Sequence, residues 1–326
     1  MKHKIKVTFI LLALFLIIQF IGLYVVNVYT PIKQEVINTQ TGISENITIN
    51  ELPYGMQAPE FQTQFDFWNV IPSLIVSFII AIVFILILTK YKWKAIIKFW
   101  FFSVVILAIG ITVNAIFLDF NLFSSKLNIF SNQVQIAWLI SALIATPFAF
   151  FKIYKPNILV HNFSELMIYP GIAAVFIPIL NIYTIIFLLI IISIYDMWAV
   201  WHSGIMQKMA KFQIQELQVF NGLLIPYMSK TVKGKIAEFK KSKKTKKQKL
   251  KVSLAILGGG DIVFPIIVSG IFLRQYGLIP ALITTAGAFL GLMFLFIISK
   301  KGKSYPAMPF ISIGIFIAMA INLLIT

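Results

Sequence analysis

Two aspartates stand where a charge is costly. Asp196 follows Tyr195 inside residues 166–207, a stretch of 42 with no other Asp, Glu, Lys or Arg. Asp261 ends Leu257-Gly258-Gly259-Gly260-Asp261 within the apolar run 252–273. An ionisable residue at membrane depth costs about 2.5–3.5 kcal/mol on insertion scales, which makes it a functional candidate by default. Counted from Lys208, Asp196 lies 12 residues up its helix, roughly 18 Å; counted from Lys251, Asp261 lies 10 residues in, roughly 15 Å. Two antiparallel helices packed at about 8–10 Å would set such carboxyls face to face. Close carboxylates in low dielectric share one proton. One can then take a proton from water while the other gives one to a scissile carbonyl oxygen. The pair titrates together, so neither acid has a fixed role. The same two acids also fit a structural pairing, or an ion relay in a transporter.

The elements that carry them are membrane spans. Of 326 residues, 59% are hydrophobic and 12% charged, against about 25% charged in soluble domains. Apolar runs of about 20 residues recur, predicting an all-α polytopic membrane protein. The runs are continuous rather than alternating, which excludes a β-barrel. Nine spans are expected: 7–28, 68–89, 99–118, 135–151, two within 166–207 divided near Pro178 and Asn181, then 252–273, 277–299 and 306–325. Three parts follow: 1–200 with six helices and Asp196, a basic cytoplasmic loop 201–251, and 252–326 with three helices and Asp261. Residues 29–67 read as an exposed polar loop, whose Asn46-Ile47-Thr48 sequon is short enough to arise by chance.

The formal charge is +17. With the N-terminus cytoplasmic, 25 of the 28 Lys and Arg fall on the cytoplasmic side; Lys33, Lys126 and Arg274 fall opposite. This asymmetry places the N-terminus and the 201–251 loop inside and the C-terminus outside. Residues 230–251 hold 11 lysines, a solvated run facing anionic lipid headgroups. No aromatic stacking platform accompanies it, so nucleic acid is excluded as a partner.

The glycines 258–260 let a neighbouring backbone approach Asp261, at about 1 kcal/mol each relative to alanine in a helix. Gly287 and Gly291 have the spacing of a helix-packing face. Pro306-Ala307-Met308-Pro309 opens the last span; prolines are tolerated there, but they leave backbone groups that an extended peptide could pair with. No metal or cofactor is expected. His161 and His202 are isolated and no HExxH occurs, no GxSxG elbow supports serine chemistry, and cysteine is absent. His202, with Trp198 and Trp201, fits an aromatic belt, and Glu165 reads as interfacial at the start of the fifth span.

Tyr195-Asp196, Gly258-Gly259-Gly260-Asp261 and Pro306-Ala307-Met308-Pro309 together resemble the YD, GxGD and PAL motifs of the presenilin and signal peptide peptidase family. They fall in the family's order, on what would be its sixth, seventh and ninth helices. Met308 departs from the family's leucine, a volume-conserving change that costs little. The resemblance implies an intramembrane aspartyl protease that cuts single-pass transmembrane proteins with Asp196 and Asp261. Tyr195 and the three glycines would shape the site, and residues 306–309 would hold unwound substrate. The lysine count matches the orientation of the family's presenilin-like members. The short loop between the sixth and seventh helices, with the Ile- and Lys-rich composition, fits a prokaryotic homologue in the cell membrane, the need for partner subunits being left open. Transmembrane substrates and membrane lipids are the partners, with assembly into a homo-oligomer left open. Prepilin-peptidase-like enzymes share GxGD but lack the Pro-Ala-x-Pro ending.

Overall fold

The computed structural model describes residues 5–30, 32–37, 44–49, 52–55, 93–123, 125–129, 132–203, 220–227, 253–300 and 305–325, with isolated positions between 72 and 91. Among them are eight helices: α1 (Ile5–Val28), α2 (Lys94–Asp119), α3 (Ile136–Ile153), α4 (Ile158–Phe176), α5 (Ile182–Trp198), α6 (Gly260–Tyr276), α7 (Leu278–Ile298) and α8 (Met308–Ile325). Six are long and apolar enough to cross a membrane; α6, at 17 residues, and α8 fall outside that set. The expected span at 68–89 and the lysine run 230–251 lie outside the described residues, save for isolated positions in the former.

The bundle is organised around α6, which touches α1, α4, α5, α7 and α8. Its Ile262 and Ile266 are fully buried, as are Phe15 and Ile18 of α1 and Leu189 of α5. Gly22 allows α1 to approach closely, since a Cβ there would sit 2.4 Å from Ile266 Cγ2. The turn expected near Pro178 and Asn181 is a 3-10 turn, Ile177–Ile179, followed by a capping box. Asn181 Oδ1 accepts from Thr184 N–H at 2.8 Å, while Asn181 N–H donates to Thr184 Oγ1 at 2.9 Å. Reciprocal bonds of this kind satisfy two of the orphan donors at a helix start.

Among the described residues three antiparallel two-stranded ribbons join the helices: β1 (Ile32–Ile37) with β2 (Ser44–Ile49), β3 (Lys126–Ile129) with β4 (Asn132–Gln135), and β5 (Gly222–Tyr227) with β6 (Ser253–Gly258). The third changes the expected seventh span. Residues 253–258 are strand rather than helix, and the helix starts at Gly260. Burial shows the period of two: Ala255 and Leu257 are buried while Ile256 between them is 40% exposed. A short apolar run cannot announce this, because it fits a strand or a buried helix equally well. The loop 29–67 is likewise not wholly exposed. Leu52 is buried, and Tyr54 packs on Trp138 with ring centroids 4.2 Å apart while its hydroxyl donates to Leu107 O. Burial pushes the Tyr54 hydroxyl up to about 12.

Candidate active site

Asp196 sits in the last turn of α5, which continues as a π-helical turn over Ala199–Ser203. It is buried, at 7% exposure. Its Oδ2 accepts the backbone N–H of Met308 at 3.1 Å, and the Ala307 N–H donates to the same carboxyl. The carboxyl therefore caps α8, filling the anion position that orphan amides create at any helix start. Proline at 306 and 309 suits this arrangement, because the first turn needs no N–H from either. Of the backbone groups in 306–309 that an extended peptide could pair with, the Met308 amide is thus taken by Asp196.

Asp261 lies in the first turn of α6, where the helix dipole favours an acid. It is partly exposed, against the buried Asp196. Gly258 N–H donates back to its carboxyl, and the two aspartates lie within electrostatic reach of each other. Helices α5, α6 and α8 touch pairwise, so the end of one and the starts of two others meet around the acids.

The three glycines differ in what surrounds them. A Cβ at Gly258 would lie 3.1 Å from Asp261 Oδ2, and one at Gly259 would lie 3.0 Å from the hydroxyl and ring of Tyr169. At Gly260 the first atom met is 3.8 Å away. Pro306 and Met308 are buried, and Ala307 and Pro309 partly so. Tyr195 is 55% exposed, and its ring turns outward towards Trp198.

Several residues around the acids give no motif in the sequence. Gln19 of α1 is fully buried, and its Nε2 donates to Ile262 O at 3.0 Å, one residue past Asp261. Glu165, expected at the start of its helix, is fully buried within the protein and paired with Lys152 of α3, which is itself 1% exposed. Helix α4 starts at Ile158, earlier than expected, which carries Glu165 two turns inside. Lys152 is accordingly no free topological charge. His161 is buried beside them, with Nε2 2.7 Å from Gly222 O. The only sequence signal was an acid and a histidine four residues apart, a spacing that puts both on one helix face. Among the described residues no group of His, Cys, Asp and Glu could hold a metal ion.

A family profile described as signal-peptide peptidase, presenilin aspartyl protease, matches residues 42–326. The chain belongs to this family. Its activity is that of an intramembrane aspartic endopeptidase. Two solved structures, both of a presenilin family intramembrane aspartate protease, share the fold. One, in space group C222, is 15% identical with a TM-score of 0.57 and covers 98% of this chain and 99% of its own. The other, in space group P2, is 16% identical with a TM-score of 0.55 and covers 97% of each chain. No curated protein matches, and nothing in these comparisons supports a transporter.

Proposed function

We propose that Asp196 and Asp261 form the catalytic dyad of this protease, acting on transmembrane segments of single-pass membrane proteins. One carboxylate takes a proton from water as the other protonates the scissile carbonyl oxygen, and the second half-reaction restores the dyad. The observation that carries the reading is the meeting of α5, α6 and α8, with Asp196 held by the Met308 amide and Asp261 beside it. Partial exposure of Asp261 gives water a route to the pair. An unwound substrate would lie along β6, next to Asp261, adding a strand to the ribbon. Gly258, Gly259 and Gly260 shape that approach, Pro306, Ala307, Met308 and Pro309 hold Asp196 and flank the substrate, and Tyr195 faces outward at the rim.

In this reading the chain crosses the prokaryotic cell membrane nine times, the second time over 68–89. The N-terminus and the 201–251 loop are cytoplasmic and the C-terminus opposite, supported by the division of Lys and Arg, 25 to 3 in all and 24 to 3 with the paired Lys152 left out. Lipid headgroups engage the lysine run. The test is cleavage of a labelled single-span peptide by purified protein. Asp196→Ala and Asp261→Ala should each lower turnover by at least about 10²–10⁴-fold. Persistent turnover after either change would overturn the assignment.

A further inference from the structure

Helix α4 carries His161, Glu165 and Tyr169 four residues apart, so all three lie on one face, and all are buried. That face meets the β5–β6 ribbon and then the turn that bears Asp261. Lys152 pairs with Glu165 Oε1 and approaches Phe220 O at 3.5 Å. Glu165 Oε1 also accepts from Gly222 N–H at 3.3 Å. His161 Nε2 is the donor to Gly222 O, which leaves Nδ1 to accept from Lys152 Nζ at 3.5 Å. One residue along, Asn162 bonds Leu224 twice, donating to its carbonyl at 2.8 Å and accepting from its N–H at 2.9 Å. Side chains of α4 therefore occupy the edge of β5 that β6 does not.

The register carries this hold to the catalytic turn. Gly222 pairs with Gly258, and Gly258 donates to the Asp261 carboxyl. Tyr169, one turn beyond Glu165, packs closely against Gly259: a Cβ there would lie 3.0 Å from its ring and hydroxyl. Its hydroxyl lies within electrostatic reach of both Glu165 and Asp261. That hydroxyl lies against the Glu165 carboxylate, and both groups are buried, so the ion pair continues through Tyr169 to the glycine turn. A polar chain buried this way calls for an explanation.

Stability does not supply one. A buried ion pair is often no better than an apolar pair of the same volume, and charges at membrane depth are retained mainly where they serve function. We propose that Lys152, Glu165 and Tyr169 are positioning residues for Asp261. The pair fixes β5, β5 fixes β6, and Tyr169 fixes the turn from the other side. The inference rests on Asp261 being half of the dyad.

The test uses full-length protein and the labelled single-span peptide, with turnover expressed per folded molecule. Two variants are compared with wild type: Lys152→Met with Glu165→Leu together, which keeps the volume and removes the charges, and Tyr169→Phe, which removes one oxygen. Each is expected to lower kcat about 10- to 100-fold, the scale of a misplacement near 1 Å, and to leave KM unchanged. Wild-type kcat in any variant that folds, or a change in KM alone, overturns the proposal. If the double variant does not fold, Tyr169→Phe decides alone by the same criterion. Asp196→Ala and Asp261→Ala run alongside. Cleavage that survives in either would instead overturn the dyad reading, whatever the positioning variants do.

Discussion

Gly314 of α8 offers a way to move the Asp196 contact without touching either aspartate. Helices α7 and α8 meet backbone to backbone: a Cβ at Gly314 would lie 2.1 Å from Gly287 O, and one at Gly291 would lie 2.4 Å from Phe310 O. Ordinary contact needs about 3.5 Å, so Gly314→Ala must part the helices by more than about 1 Å. Neither obstacle is a flexible side-chain end; both are carbonyls inside helices. Met308 begins α8 six residues earlier, and its N–H reaches Asp196 at 3.1 Å. A rigid displacement of that size breaks the bond. Overpacking costs about 1–3 kcal/mol of stability, and a hydrogen bond to a charged group is worth about 1.5–3 kcal/mol. If the lost bond is felt in the transition state, kcat falls roughly 10- to 100-fold. Turnover of the labelled peptide and thermal unfolding in detergent would be measured together. Ile317→Ala, on the exposed side of the same helix, serves as control. A Gly314→Ala protein with wild-type kcat would refute the coupling between helix contact and acid.

Met308→Pro deletes the N–H that donates to Asp196, at a helix position where proline is tolerated; kcat per folded molecule is expected to fall about 10- to 100-fold, alongside a stability loss of about 2–5 kcal/mol from the buried Met308 side chain. Gly222→Ala places a side chain at φ +142°, 2.4 Å from Leu257 O. It should destabilise the protein by about 1–3 kcal/mol, read as a lowered unfolding midpoint. Lys152→Met alone strands Glu165 as a buried charge and should cost about 3–5 kcal/mol, most of it recovered by adding Glu165→Leu. Unfolding curves of the single and double variants would check this, and equal stability of the two would count against a buried ion pair.

The amino-acid sequence by itself determined the medium, the helical class and the family. Membrane spans read directly because lipid leaves a backbone few choices, so an apolar run about 20 residues long has one dominant meaning. The acids Asp196 and Asp261 stood out for the same reason, as charges where charge is expensive, and three short motifs in order led to the protease family that the profile match shows. What the tertiary structure decided was pairing. Ser253–Gly258 reads as the start of a helix until β5 offers it a partner. Lys152 and Glu165 each look like residues at a span end, and only the packing of α3 on α4 buries them together. Gln19 belongs to no motif, and nothing in the order of residues 306–309 shows that the Met308 amide goes to Asp196. Hydropathy is a property of a segment and survives in one dimension. A hydrogen bond or an ion pair belongs to two residues, and across 243 positions, as between Gln19 and Ile262, only the fold brings the second one near.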